Sequence, residues 1–297
     1  MTQFIQVVLN GVAQAAVYAL VAVGFVIIFK STQVLNFAQP ALLLFGALWV
    51  TYFATSVGLP FWLSVIIAVV LSAATGIAVE RTALRPMVGK PIFAVAIMTI
   101  GLNTVLTVLA LAGLGIDLRP IGDPWGIKTV RLGGFALAQH QVAAIITAVV
   151  LVSALLVFFK YSRMGLAMRA AAFDQEVALT QGVSVASVFA LSWALSAVLA
   201  MFGGVFVGAG VGIDRSAQVV ALKALPVVIV GGLDSIGGAL VGAIIIGITE
   251  ALAQNYQPTL APGLGRNFSQ VVPYLVMFIV LLIRPTGLFG TEEVERV

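Results

Sequence analysis

The chain has 297 residues, of which 61% are hydrophobic and 9% are charged, and its net charge is +4. A soluble domain carries charge on roughly a quarter of its residues, so this chain lacks the polar side chains needed to cover a water-facing surface. It has no cysteine and one histidine, His140, which excludes disulfides, iron–sulfur clusters and sites that need two histidines. These features predict an all-α membrane protein that carries no cofactor and binds no nucleic acid.

A helix needs about 20 mostly apolar residues to cross a bilayer, and such stretches recur along the chain. They predict spans near residues 7–29, 37–56, 62–80, 92–113, 140–159, 184–208, 237–254 and 270–284. The run 218–231 is shorter and contains Pro226, so we interpret it as a re-entrant segment or half-helix, which is tolerated at membrane depth only under a cover of protein or a polar cavity. We therefore expect a polytopic bundle of about eight spans plus this segment, in one domain over residues 1–297.

The charges in the loops predict an orientation. Basic residues gather in two short loops and at one helix end, namely at Lys30, Arg81, Arg85, Lys90, Lys160, Arg163 and Arg169. The positive-inside rule puts these loops in the cytoplasm, with the N-terminus outside and the C-terminus, including the acidic tail 292–295, inside. The mixed-charge connection 114–139 then becomes an external loop. The bias is moderate, because three further basic residues fall outside in this scheme: Arg215, Lys223 and Arg266.

Motifs for enzymatic chemistry are missing from the sequence. The stretch nearest to a GxxxxGK[ST] phosphate loop runs from Gly24 to Lys30 and Ser31, but it has Phe29 in place of the second glycine and lies inside a predicted span. A phosphate cradle needs backbone amides that can approach the ligand freely. There is also no GxSxG motif and no pair of carboxylates with catalytic spacing. We expect this chain to have no enzymatic activity. If its function requires ATP, the hydrolysis occurs on another subunit.

A few polar residues fall at membrane depth, where polar groups generally face the interior of a bundle or a cavity. The candidates for a solute pathway are Asn36, Gln39, Asn103, Asp234 and Glu250. Structural alternatives stay open for four of them. Asn36 and Gln39 can belong to a turn whose side chains satisfy freed backbone groups, Asn103 can make an interhelical hydrogen bond, and Glu250 can reach the interface from a span end.

The segment 160–183 is too polar to span a membrane and too apolar for a fully solvated helix. Its alanine, methionine and leucine residues favour a helix, for which Ser162 suits the N-cap and Gly182 the position after the C-cap. Such a helix needs a partner surface or else lies on the lipid.

Several stretches resemble, in the same order along the chain, permeases of the branched-chain amino acid ABC transporter family, in particular the shorter, H-like subunit of Liv-type systems. They are LNFAQP (35–40), ERTALRP (80–86), KYSRMGLAMRAAAFDQEVALTQGVSV (160–185), LKALPVVIVGGLDSIGGALVGAIIIGITEAL (222–252) and RPTGLFG (284–290). The resemblance implies a type II-like ABC importer permease fold in a bacterial inner membrane.

The same resemblance implies partners: a second homologous permease subunit, two cytoplasmic ATPase subunits and a periplasmic solute-binding protein. It also implies that segment 160–183 couples the permease to its ATPase. The resemblance assigns this coupling role to Ser162, Arg163, Met164, Gly165, Met168, Arg169, Ala170, Phe173 and Asp174. Arginines at these positions can form charge-assisted hydrogen bonds with ATPase carboxylates, and Met164, Met168 and Phe173 are expected to add apolar contact.

The sequence departs from the family pattern at two places. Many members read Asn-Phe-Ala-His-Gly-Glu where this chain reads Asn-Phe-Ala-Gln-Pro-Ala at 36–41, and Asp234 replaces a residue that is often uncharged. The solute therefore stays open among branched-chain, other hydrophobic or aromatic amino acids, urea and short amides. Two other functions also stay open. One is an ion-coupled secondary transporter, for which Glu250 and Asp234 are the plausible buried carboxylates, and the other is a non-transport membrane subunit.

Overall fold

The computed structural model describes residues 2–115, 117–132, 134–173, 175–265 and 267–291 of the chain. Within these ranges eleven α-helices make up nearly all of the fold. They are α1 (Thr2–Thr32), α2 (Gln39–Thr51), α3 (Phe61–Val79), α4 (Ile92–Leu114), α5 (Gln139–Tyr161), α6 (Arg163–Phe173), α7 (Gln175–Thr180), α8 (Val185–Gly208), α9 (Ala217–Gly231), α10 (Ile236–Leu260) and α11 (Val272–Ile283).

Six helices of the described chain are long and apolar enough to cross a membrane, namely α1, α3 with its extension to Met87, α4, α5, α8 and α10. The expected count of about eight is not confirmed. The predicted span 37–56 consists of the 13 residues of α2 followed by a π-helical turn, Tyr52–Ser56. The predicted span 270–284 corresponds to the shorter apolar helix Phe268–Ile283, and 218–231 to the 15-residue helix α9.

The long connection before α5 contains the one sheet found among the described residues, which an all-α prediction omitted. Strands β1 (Thr129–Leu132) and β2 (Phe135–Ala138) pair antiparallel, with Val130 opposite Leu137. The side chain of Gln6 on α1 binds both the N–H and the C=O of Ala136. The hairpin therefore lies at the end of the bundle where α1 begins, here called the hairpin end.

Helix α1 lies at the centre of the bundle and packs along α10, α8, α5 and α9. Small residues allow these close approaches, as is usual between helices in membranes. A Cβ atom at Gly247 would lie 2.6 Å from the carbonyl oxygen of Gly11, and one at Gly231 would lie 2.3 Å from the carbonyl oxygen of Gly238. The α1–α10 and α9–α10 pairs are thus in contact through their backbones.

The opposite end of the bundle is here called the basic end, because Lys30, Lys90 and Arg169 line two cavities there. Helix α6 packs against the end of α1 at this position. The chain also returns there after α11, where the N–H groups of Leu288 and Phe289 donate to the carbonyls of Val230 and Gly231 at distances of 2.8 and 3.0 Å. These bonds satisfy carbonyls that the C-terminus of α9 would otherwise leave free.

Candidate functional site

A turn inside the bundle separates α1 from α2. Asn36 is buried there, and its side-chain oxygen accepts a hydrogen bond from the N–H of Ala38 at 2.9 Å. Its side-chain amide donates to Oε1 of Gln39 at 3.1 Å. The turn also contains Gln33, whose φ of 56° makes it the only non-glycine residue with a left-handed backbone among those the structure describes.

Side chains of α4 complete the start of α2. The hydroxyl of Thr99 accepts from the N–H of Phe37, and the side-chain oxygen of Asn103 accepts from the N–H of Ala41, both at 3.1 Å. The first N–H groups of a helix have no partner within that helix. Asn103 therefore makes the interhelical hydrogen bond that the sequence left as an alternative, and Asn36 satisfies freed backbone groups.

Gln39 reaches across the bundle to α8. Its Oε1 accepts a hydrogen bond of 2.8 Å from the hydroxyl of Ser196, and the side chain is fully buried. Gly24 on α1 leaves the necessary space, because a Cβ atom there would lie 2.4 Å from the Gln39 amide nitrogen. We call Asn36, Gln39, Thr99, Asn103 and Ser196 the turn cluster. Its Asn36 and Thr99 also line a cavity of about 120 Å³ that opens at the basic end.

Glu250 belongs to a separate, charged cluster. Its two oxygens accept hydrogen bonds of 2.5 Å from the ammonium group of Lys223 on α9 and from the hydroxyl of Tyr18 on α1. Lys223 is 8% exposed and Glu250 is 3% exposed. Lys223 lies within α9, and α10 continues past Glu250 to Leu260, so Glu250 is not at the end of its helix.

Sequence reasoning missed Lys223 and Tyr18 as functional candidates. A signal for Lys223 was present, since it is the lone charge in the apolar run VVALKALPVVIVGG, and an intramembrane ion is expected to have a partner. The charged cluster also connects to a polar cavity at the hairpin end. Gln14 donates to the Tyr18 hydroxyl at 2.9 Å and lines a cavity of about 490 Å³ together with other polar residues, among them Asn10, His140, Gln141, Gln254 and Asn255.

Asp234 lies apart from the other pathway candidates. It is in the turn between α9 and α10, where its carboxylate accepts a hydrogen bond from the Thr291 hydroxyl. It lines a cavity of about 370 Å³ at the basic end with Lys30 and Arg169. The five candidates thus fall in three places: Asn36, Gln39 and Asn103 in the turn cluster, Glu250 in the charged cluster, and Asp234 at the basic end.

The segment 160–183 is helical and docks against the bundle. The Ser162 hydroxyl accepts the Gly165 N–H at 2.8 Å, as expected for an N-cap, and Gly182 has a φ of +79° after the last helical turn. The segment contains the helices α6 and α7, and the candidate Asp174 between them lies outside the described residues. Gly165 fits against the end of α5, where a Cβ atom would lie 2.4 Å from the carbonyl oxygen of Phe158.

The two faces of α6 differ. Met168 is 3% exposed and Gly165 is also buried, so both hold the helix against the bundle, and Met168 is not available for the outward apolar contact expected of it. Phe173 is 95% exposed. The other candidate residues on the exposed face are Arg163, Met164, Arg169 and Ala170. An exposed large aromatic residue flanked by arginines is typical of a surface that another protein covers.

A side chain that follows α6 contacts the turn between α1 and α2. The amide of Gln175 donates a hydrogen bond of 3.1 Å to the carbonyl oxygen of Ser31, one of the last residues of α1. The same Gln175 lines the cavity that contains Asn36 and Thr99. The segment 160–183 is therefore joined to the turn cluster by one hydrogen bond and a shared cavity.

A family model described as "Branched-chain amino acid transport system / permease component" matches residues 7–281. The chain belongs to this family. It is 29% identical to the high-affinity branched-chain amino acid transport system permease protein LivH of Salmonella typhimurium, over 99% of this chain and 98% of LivH. It is 26% identical to BraD of Pseudomonas aeruginosa, a permease protein of the same description, with the same coverage.

A more distant relative is a probable branched-chain amino acid transport permease protein LivH of Methanocaldococcus jannaschii, which is 26% identical over 92% of this chain and 88% of its own length. Among solved structures, PsaBC from Streptococcus pneumoniae in complex with Fab contains a chain with the same fold. The TM-score is 0.52 at 13% identity, covering 93% of this chain and 91% of that one. The chain is thus a multi-helix membrane permease.

Proposed function

We propose that this permease forms the translocation pathway of an ATP-driven importer for branched-chain or other hydrophobic amino acids. It would pair with a second homologous permease subunit, two cytoplasmic ATPase subunits and a periplasmic solute-binding protein. The observation that carries the proposal is the helix α6, which is anchored by buried residues and exposes Phe173 beside arginines at the basic end. The names of the relatives supply the class of solute.

The proposed orientation places the basic end in the cytoplasm, the N-terminus in the periplasm and the C-terminus in the cytoplasm. It rests on the positive-inside rule and on the position of Lys30, Lys90 and Arg169 at one end of the bundle. In this orientation the exposed face of α6 meets the ATPase. Phe173 supplies the apolar anchor, and Arg163 and Arg169 bind ATPase carboxylates through charge-assisted hydrogen bonds.

Movement of the ATPase would reach the pathway through the turn between α1 and α2. A displacement of α6 and α7 pulls on the Ser31 carbonyl through Gln175. Ser31 lies two residues before Gln33, whose left-handed backbone is a sparsely populated conformation for a residue with a side chain. A change at this turn shifts Asn36 and Gln39, which are hydrogen-bonded to each other. Asn36, Gln39 and Asn103 are the proposed pathway residues, with Glu250 controlling the position of α9.

The environment of Glu250 favours ATP-driven transport over ion coupling. Lys223 and Tyr18 occupy one carboxylate oxygen each, so the carboxylate is compensated within the protein. Reconstitution with the ATPase, the second permease and the binding protein tests this choice. Uptake should require both ATP and binding protein. Uptake that persists without ATP, or collapses with an ionophore at constant ATP, would refute the proposal.

Charge reversal on α6 tests the coupling role. Arg169→Glu should leave membrane insertion intact and uncouple ATP hydrolysis from uptake, because it places a carboxylate against the ATPase carboxylates. The matched control is Arg81→Glu, an exposed position in the helical extension of α3. If Arg169→Glu transports as well as Arg81→Glu, the assignment of α6 as the coupling helix fails.

Gln175→Leu tests the connection from α6 to the turn, because it removes the amide and retains much of the side-chain volume. We expect ATPase assembly to persist while solute-stimulated ATP hydrolysis and uptake fall together. Gln181→Leu changes an exposed glutamine on the same segment and should behave like the wild type. Normal coupling in Gln175→Leu would remove this hydrogen bond from the mechanism and leave the role of Arg169 intact.

A further inference from the structure

One face of α1 forms the floor of a groove that runs between α5 and α10. The α1 residues that line it are spaced by three, four or eight positions and so lie on one side of the helix: Val12, Ala16, Ala19, Ile27 and Lys30. From Val12 to Lys30 such a stripe covers roughly 27 Å of helix. This length is close to the thickness of the hydrocarbon core of a bilayer.

Two cavities lie along the groove and share one lining residue. The one nearer the middle of α1 has a volume of about 300 Å³, and the one at the basic end has about 370 Å³. Leu156 of α5 lines both. On the α10 side, Ile236 lines the second cavity and Leu240 and Ile244 line the first, all on one face of that helix. The two cavities therefore lie one after the other, from the apolar middle of α1 to the basic end.

The middle of the groove is apolar and wide because its side chains are small. Ala15, Ala16 and Ala19 on α1 face Ala148 and Val152 on α5. Ser153 is the one polar residue on this part of the wall. A wall of this kind offers van der Waals contact to a flexible hydrocarbon chain and almost no hydrogen-bonding partner to a polar solute.

The basic end of the groove has the opposite character. Lys30 and Arg169 line it, together with the hydroxyl-bearing residues Ser31, Ser235 and Thr291. Neither basic side chain forms an ion pair within the ranges that the structure describes. Asp234 is the acidic residue on the wall, and its carboxylate accepts the hydrogen bond from Thr291. The described lining of this cavity thus carries two positive charges and one negative charge.

We propose that this groove is a binding site for one anionic phospholipid of the leaflet at the basic end. The phosphate lies beside Lys30 at the mouth of the groove, and an acyl chain extends along α1 between α5 and α10. Basic pockets between helices on the cytoplasmic side are suited to anionic head groups, and this one lies next to an apolar cavity between the same helices, α1, α5 and α10. The placement in the cytoplasmic leaflet rests on the orientation given under the proposed function. Because the head group touches α6, the lipid would also support the proposed coupling helix.

The test uses the purified full-length chain in nanodiscs that contain equal amounts of phosphatidylglycerol and phosphatidylcholine, followed by native mass spectrometry of the lipid that it retains. The wild type should retain phosphatidylglycerol preferentially. Lys30→Gln should lower the ratio of phosphatidylglycerol to phosphatidylcholine by roughly fivefold, which is the effect of one basic residue at an anionic membrane surface. Lys160→Gln removes the same charge from an exposed position at the end of α5 and should leave the ratio unchanged.

A second variant tests the acyl-chain part of the site. Ala16→Leu adds a branched side chain to the floor of the groove and should reduce the retention of phosphatidylglycerol while Lys30 is intact. If Ala16→Leu retains lipid like the wild type, or if Lys30→Gln and Lys160→Gln behave alike, the proposal is overturned. A further test adds soluble glycerol phosphate. If micromolar glycerol phosphate displaces the bound lipid, the site binds free anions and not a phospholipid. The assay needs no ATPase, so its outcome is independent of whether α6 couples to one.

Discussion

The interior of this permease contains two buried polar clusters that are built in different ways. In the charged cluster, the side chains of Tyr18, Lys223 and Glu250 bind one another and connect α1, α9 and α10. In the turn cluster, Asn36, Thr99 and Asn103 mainly bind backbone N–H groups that the break between α1 and α2 leaves free.

This difference in hydrogen-bonding partners determines how much stability each cluster loses when one of its side chains is removed. A buried ion whose partner is removed has no solvent to replace it, so the loss of either member of the charged pair is severe. A backbone N–H that loses its cap costs the desolvation of one neutral donor. The charged cluster therefore holds helices together, whereas the turn cluster holds one local conformation and is better suited to change during transport.

The largest effect should come from breaking the charged pair. Lys223→Met leaves the Glu250 carboxylate buried without its counter-ion and should lower the free energy of unfolding by about 3–5 kcal/mol. Denaturation in detergent, followed by tryptophan fluorescence, measures the loss. Lys128→Met, at an exposed position near the hairpin, is the control for loss of a lysine.

A second substitution sharpens this test. Adding Glu250→Gln to Lys223→Met removes the unpaired charge but keeps an acceptor for Tyr18, so the double variant should recover most of the lost stability. If the double variant is less stable than Lys223→Met alone, the pair is not acting through charge compensation.

Tyr18→Phe should have the next largest effect, because the hydroxyl donates to the Glu250 carboxylate, which is paired with Lys223. Hydrogen bonds to charged groups contribute about 1.5–3 kcal/mol, and the phenyl ring retains the packing of Tyr18 against the core. The same unfolding measurement applies, with Tyr161→Phe at an exposed position as the control. An unchanged stability would mean that Lys223 alone compensates Glu250.

Much of the helical order was predictable, and the reason is physical. Apolar stretches must be helical in lipid, so the helices 92–114 and 185–208 lie almost where the sequence puts them. The N-cap at Ser162 was predictable because the capping hydrogen bond is local. The partnership of Lys223 with Glu250 was not, since it joins residues on two helices whose rotation and depth depend on the packing of Gly231 against Gly238.

The limits of the sequence are also clear at α6. Its composition predicted a helix that needs a partner surface or lies on the lipid, but which face packs against the bundle depends on the position of α1. Met168 therefore turned inward, and Phe173 outward. The turn at 33–38 illustrates the same limit, because its caps Thr99 and Asn103 come from α4, more than 60 positions along the chain.

Asn36→Ala should have a smaller effect on stability than Tyr18→Phe and a larger effect on transport. It removes the cap on Ala38 and the hydrogen bond to Gln39, and the loss of a neutral cap costs about 0.5–2 kcal/mol. We expect a modest loss of stability together with a loss of coupling, measured as solute taken up per ATP hydrolysed. Asn267→Ala, at an exposed position, should change neither. A normal ratio of uptake to hydrolysis would place Asn36 outside the transport mechanism.

Thr99→Val should give the smallest change, and it isolates a single cap. Valine has the shape of threonine, so the packing of α4 is retained while the N–H of Phe37 loses its acceptor. We expect a loss of about 1 kcal/mol, since neighbouring caps still hold the turn. Thr104→Val on the same helix is the control, because Thr104 is exposed and its hydroxyl makes a long intrahelical bond of 3.4 Å. If Thr99→Val were as damaging as Lys223→Met, the neutral turn would be as rigid as the charged pair, and the proposed mobility of the turn would have to be abandoned.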